Sequence, residues 1–242
     1  MMNWIYLASG GEGGGQAGGA FFSLLGLEVT GAVTTMWGIM FLVLLLAWVG
    51  TRRLERVPRS RLQGFLEWVV ETLVDFYGGI TGRERALQLV PLVGAFFIFI
   101  LLANYSGLLP GAGHVFPWLL APTSHWSVTA GLAVVVFFTT QYFGIRKKGL
   151  GYYKHMVEPL FLSPLLLPLG ILEELVRPFS LSLRLYANIF GGEMVVAAMV
   201  AAIPYFLPIA TLLLELIFGL IQAIIFTVLT SVYLTAALSE EH

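Results

Sequence analysis

The residue in this sequence with the strongest claim to chemistry is Arg184, set in the run Leu181-Ser182-Leu183-Arg184-Leu185-Tyr186-Ala187-Asn188-Ile189. A guanidinium does not lose its proton under physiological conditions, and placing it in hydrocarbon costs at least ~2.5 kcal/mol. A charge among leucines therefore needs a partner or a task. A structural ion pair and an arginine snorkelling to the surface are the competing explanations. Snorkelling is disfavoured because the surrounding helical pattern continues for many residues in both directions. At roughly 100° per residue, Arg177 and Asn188 fall within about 40° of Arg184, and Glu173 within about 20°. Glu193 points the opposite way, so an Arg184–Glu193 pair within the helix is excluded. One helix offers a cation to one neighbour and a carboxylate to another.

Glu215 and Gln222 are seven residues apart and share a face of the following segment. Glu193 and Glu215 each lie about ten residues from the turn marked by Pro204 and Pro208, so they reach similar depth on antiparallel helices. Two readings of this pair stand: a proton relay or aqueous vestibule, or a hydrogen-bonded pair that only packs. Glu173 and Glu174 lie nearer the other end, as interfacial residues or as the lining of a second wet site. The Gly191–Gly192 pair reads as a place of close helix packing. There is no G-x-x-x-x-G-K-[ST], no His-Glu metal motif and no G-x-S-x-G elbow, so no nucleotide, metal or cofactor site is expected.

The composition says what must hold these residues. Charged residues are 11% of the 242, against about 25% in soluble domains, while hydrophobic residues reach 58% with a mean hydropathy of +0.87. Such a chain cannot hide its apolar surface in a soluble core and belongs in a bilayer. The absence of cysteine removes disulfides, thiol nucleophiles and thiolate metal sites. A net charge of −1 and a single basic patch argue against nucleic acid.

Residues 1–28 contain no lysine or arginine and carry a glycine-rich stretch, Gly10 to Gly19, which reads as an outside arm without signal or transit peptide. The 23 uncharged residues Val29 to Thr51 make one span. Residues 52–85 form a cytoplasmic segment: a basic cluster of Arg52, Arg53, Arg56, Arg59 and Arg61, then an amphipathic helix from Leu62 to Ile80 lying along the surface and ended by Gly78 and Gly79. Its acidic face of Glu67, Glu71 and Asp75 suits protein docking better than lipid. Residues 86–145 form a transmembrane hairpin around an outside loop that holds Pro110, Pro117, Pro122 and two histidines. Residues 146–168 return to the cytoplasm with Arg146, Lys147, Lys148 and Lys154, and Pro159, Pro164 and Pro168 break the start of the next helix. Residues 169–238 form a long helical hairpin, its first helix running to Ile203 and too long to cross upright, and 239–242 end inside. The fold expected is an all-α polytopic membrane protein, N-terminus outside and C-terminus cytoplasmic.

The run Arg177-Pro178-Phe179-Ser180-Leu181-Ser182-Leu183-Arg184-Leu185-Tyr186-Ala187-Asn188-Ile189-Phe190-Gly191-Gly192-Glu193 resembles subunit a of the F-type ATP synthases. So does the ending from Gln222 through Thr230 and Val232-Tyr233-Leu234 to Ser239-Glu240-Glu241-His242. The family's commoner Arg-Leu-Phe-Gly-Asn reads Arg184-Leu185-Tyr186-Ala187-Asn188 here. The resemblance implies a non-catalytic stator subunit with two offset half-channels that carry protons to and from a ring of c subunits. It makes Arg184 the essential stator arginine, Asn188 its polar neighbour, Glu193 an acid of one half-channel and Gln222 the glutamine near the arginine. Glu215 falls where relatives carry histidine, glutamate or glycine, and Glu173 or Glu174 would wet the inner half-channel. The implied partners are the c-subunit ring, the b-subunit peripheral stalk, the rest of the synthase complex and the lipid bilayer. H⁺ is the expected ion with Na⁺ as the alternative, and the expected location is a bacterial inner membrane.

Overall fold

In the computed structural model, which describes residues 22–24, 27–52, 60–109, 119–149, 163–202 and 207–238, six helices carry the fold. They are α1 (Gly31–Thr51), α2 (Arg61–Thr81), α3 (Arg83–Ser106), α4 (Trp126–Lys148), α5 (Ser163–Ala202) and α6 (Leu207–Leu238). A small antiparallel hairpin, β1 (Phe22–Leu24) with β2 (Leu27–Val29), precedes α1 and pairs Phe22 with Val29. All helices but α2 are long and apolar enough to cross a membrane, so the chain is an all-α polytopic membrane protein. The glycine-rich arm before residue 22, Arg53, Arg56 and Arg59, the loop 110–118, Lys154, Pro159, Pro204 and the 239–242 tail lie outside the described residues.

Successive spanning helices alternate in direction. One end of the bundle, the basic end, gathers the C-termini of α1, α4 and α6 with the N-termini of α3 and α5. There Lys147 Nζ donates to the Leu238 carbonyl at 2.6 Å, a cation capping the open end of α6. At the opposite end a single 3-10 turn, Pro122–Ser124, leads into α4 and packs against α3, α4, α5 and α1. The Leu120 backbone N–H donates to Thr35 Oγ1 at 3.2 Å and ties this end to α1.

Two helix boundaries differ from the sequence reading. Gly78 and Gly79 lie inside α2, which continues to Thr81 and stops at Gly82, whose φ of 86° is left-handed and open to glycine. Pro164 and Pro168 fall inside α5 instead of breaking it. Pro164 occupies the first turn, where a missing N–H costs nothing, and Pro168 and Pro178 are accommodated within a helix of 40 residues. The helix that begins the final hairpin is therefore six residues longer at its start, about 60 Å in all and twice the hydrocarbon thickness. The α2 helix is also more than a surface strip. Leu73, Val74 and Tyr77 are buried against α3 and α6, and the Tyr77 hydroxyl donates to Thr227 Oγ1 at 2.6 Å.

The helix α5 packs between α4 and α6. Leu181, Leu185 and Ile189, each four residues on from the last, form its buried stripe. They meet Phe96 and Ile100 of α3, Val136 of α4 and Ala223 and Phe226 of α6. Lipid gives no hydrophobic drive for helices to associate, so this close packing and the interhelical hydrogen bonds hold the bundle.

Candidate functional site

The residues singled out in the sequence fall into three zones along α5 and α6. The middle zone holds Arg184, Asn188 and Gln222. Arg184 stands on the flank of α5 beside its buried stripe, exposed along with Leu183, Ala187 and Phe190. It has no hydrogen-bond or ion-pair partner among the described residues. Asn188 Nδ2 donates to the Phe218 carbonyl at 3.4 Å, and Gly192 lies beside the Glu215 carboxyl. Both contacts have the same antiparallel register, which brings Gln222 level with Arg184. Gln222 is 5% exposed, and its amide nitrogen has no partner among the described residues. On α6 the turn next to Gln222 is apolar on its outer surface, where Ile217, Phe218 and Ile221 are all exposed.

The second zone lies toward the end that carries the Pro122–Ser124 turn. Glu193 is half-buried against the Ser124 hydroxyl, and Glu215 is the neighbouring carboxyl, lying beside Gly192. Glu215 fits against α5 because residue 192 is glycine. A Cβ there would come within 3.0 Å of Glu215 Oε1. This glycine therefore makes room for a carboxyl, while a Cβ on Gly191 would meet nothing within 4 Å. Asn104 braces the same zone from α3: it accepts from Thr123 Oγ1 at 2.7 Å and donates to the Gly219 carbonyl at 2.9 Å. Tyr105 adds a bond from its hydroxyl to the Leu216 carbonyl at 3.2 Å.

The third zone lies toward the basic end. Glu173 is exposed and paired with Arg177, whose guanidinium sits 5.5 Å from the Tyr233 ring centroid. Glu174 accepts a hydrogen bond from Gln141 of α4. Glu174, Arg177, Gln141, Thr140 and Tyr233 line a narrow cleft with about 20 Å³ of solvent space, room for one water. Between this cleft and the Glu193–Glu215 zone lies the apolar cluster of Leu181, Leu185, Phe226 and Ile100.

Three residues had escaped notice in the sequence. Asn104 and Gln141 are amides inside otherwise apolar spans, and a polar side chain at such depth is itself a signal of an interhelical bond. Ser124 gave no such signal, because a serine in a proline-rich loop is ordinary.

A family model described as ATP synthase A chain matches residues 33–235. The chain is 42% identical over 214 residues to "ATP synthase subunit a" of Moorella thermoacetica, covering 88% of this chain and 93% of that protein. It is 39% identical over 210 residues to "ATP synthase subunit a" of Gloeobacter violaceus, covering 86% and 83%. With "ATP synthase subunit a, chloroplastic" of Stigeoclonium helveticum it shares 36% over 232 residues, covering 92% and 90%.

Proposed function

The chain belongs to the ATP synthase A chain family, and from that premise we propose that it is the membrane stator subunit of a rotary F-type synthase, passing protons to and from a ring of c subunits. The observation that carries this reading is Arg184. A permanent cation lies near the middle of a 40-residue apolar helix, exposed on an apolar face and unpaired among the described residues. A monomer in lipid would not tolerate that arrangement, whereas a neighbouring subunit bearing a carboxylate at the same depth satisfies it.

The mechanism follows from charge. The Glu193–Glu215 zone is one half-channel and the Glu174 cleft belongs to the other, with the apolar cluster between them keeping the two apart. A proton entering the first neutralises a ring carboxylate, which can then turn into lipid. On return the ring carboxylate loses its proton to the second half-channel and is drawn to Arg184, whose fixed charge bars a proton from stepping directly between the two. Gln222, level with Arg184, helps position the guanidinium, and Asn188 ties α5 to α6 one turn away. Each proton crossing yields ~2.3 kcal/mol per 100 mV, so several must pass for each ATP made in the catalytic sector. This subunit binds no nucleotide and performs no bond chemistry itself.

The distribution of basic residues supports this orientation: the basic end faces the cytoplasm, with the N-terminus outside and the C-terminus within, in a bacterial inner membrane. The b-subunit stalk and the ring are its protein partners, and H⁺ is the ion. The reading is tested by ATP-driven acidification of membrane vesicles. Arg184→Ala should abolish it, and Arg184→Lys should largely do so, because an ammonium lacks the guanidinium's reach and fixed charge. Near-normal acidification with the alanine variant contradicts the proposal.

A further inference from the structure

Ser124 occupies the last position of the Pro122–Ser124 turn, which packs directly on α5, and its hydroxyl lies against the Glu193 carboxyl. Its single proton is donated to the Ala121 carbonyl at 2.9 Å. A hydroxyl has one proton and two lone pairs, so Ser124 cannot donate to Ala121 and to Glu193 together. The Ala121 carbonyl does not depend on that hydroxyl, because the Ser124 backbone N–H also donates to it at 3.1 Å. The hydroxyl can therefore rotate away without leaving a buried carbonyl unsatisfied.

From this we infer that Ser124 is a positioning residue for proton passage, reversing its hydrogen bond as Glu193 gains and loses a proton. With Glu193 ionised, Ser124 Oγ–H donates to the carboxylate. With Glu193 protonated, the acid O–H donates to Ser124 Oγ, and the serine proton returns to the Ala121 carbonyl. Ser124 gives up no proton and gains none; the proton that moves comes from vestibule water to Glu193 and passes onward. The serine thus offers Glu193 a hydrogen-bond partner in both states, where a pure donor or a pure acceptor would favour only one. Glu215 is the titratable group beside Glu193. The turn itself is braced independently by the Thr123–Asn104 bond of 2.7 Å, so its position does not rest on Ser124.

This inference rests on the proton-path reading above, and the experiment separates the two. Proton flux per assembled complex is measured in vesicles for Ser124→Ala, Ser124→Thr, Ser124→Cys, Glu193→Gln and the Ser124→Ala/Glu193→Gln pair. Ser124→Ala should slow flux about tenfold, the scale of a lost hydrogen bond to a charged group. Ser124→Thr, which keeps the hydroxyl, should restore most of it, and Ser124→Cys, with a weak donor, should resemble alanine. Adding Ser124→Ala to Glu193→Gln should cost nothing more, because the serine acts only through that carboxyl. Undiminished flux in Ser124→Ala beside a slow Glu193→Gln overturns the inference alone. An equal loss from Ser124→Ala in both backgrounds overturns it as well, since the serine would then act on structure. Full flux in Glu193→Gln removes the proton-path reading, and the inference falls with it.

Discussion

Carboxylates lie toward both ends of the α5–α6 hairpin, and the two groups are held in opposite ways. Toward the basic end Glu173 is matched by Arg177, and Glu174 is held by the Gln141 amide beside the same guanidinium. Toward the other end Glu193 faces a hydroxyl and a second carboxyl, with no cation beside it among the described residues. A carboxylate beside a fixed cation serves as an anchor or a field. One beside a hydroxyl and a like group has room to change its charge, which is what a relay requires. Under the proposed function the same residue type would serve two different tasks, and the difference lies in the partners that other helices supply.

The comparison is broken most directly by neutralising the unpaired pair. Glu193→Gln and Glu215→Gln should each lower proton flux per assembled complex by an order of magnitude or more, the scale of a lost acid–base group. Their double variant should cost less than the two single losses combined. A flux assay normalised to immunodetected complex checks both expectations. Loss of assembly with normal flux per complex would instead make them packing residues. The support under that zone is next. Asn104→Ala removes two buried interhelical bonds, so about 1–2 kcal/mol should be lost from the bundle. Detergent-melting curves of the purified complex should record a lower midpoint.

Toward the basic end the effects should be smaller. Glu174→Gln leaves Gln141 an acceptor and leaves Arg177 its Glu173 partner, so flux should fall only about two- to threefold, well short of the loss at a relay carboxyl. A fall matching that of Glu193→Gln would erase the distinction between the two zones. The smallest effect concerns His125, just before α4, where burial lowers the imidazole pKa below its usual value. A depressed histidine is neutral in the fold and binds its proton more readily once unfolded. Stability should therefore be full above about pH 6.5 and decline as pH falls below it. His125→Gln should flatten that decline in melting curves taken between about pH 7 and 5.

Much of this arrangement was legible in the residues. Arg184 announced itself because a guanidinium among leucines has few tolerable environments, and the helical angle that set it opposite Glu193 matches its exposed face. The depth of Glu193 and Glu215 followed from counting back to the prolines. What could not be read was which groups the other helices bring to those carboxyls. Ser124 reaches Glu193 from a loop about seventy residues earlier, a contact with no local pattern. Gln141 meets Glu174 across 33 residues. The prolines misled for a physical reason: a missing N–H is harmless in a first turn, and a long packed helix tolerates one more. Gly78 and Gly79 misled in the same way, since at the end of α2 it is the left-handed backbone at Gly82 that requires glycine.

The central claim is that the exposed face around Arg184 is completed by a ring subunit carrying a carboxylate. Single cysteines at Leu183 and Ala187, both exposed beside Arg184, and at Leu185 and Ile189, both buried in the bundle, place that claim under direct test. The natural chain has no cysteine to interfere. With a cysteine beside the ring carboxylate and a mild oxidant, Leu183→Cys and Ala187→Cys should form disulfide-linked dimers with the ring subunit in native membranes, and Leu185→Cys and Ile189→Cys should not. Crosslinks from the buried pair alone, or from neither pair in fully assembled complex, would contradict the account.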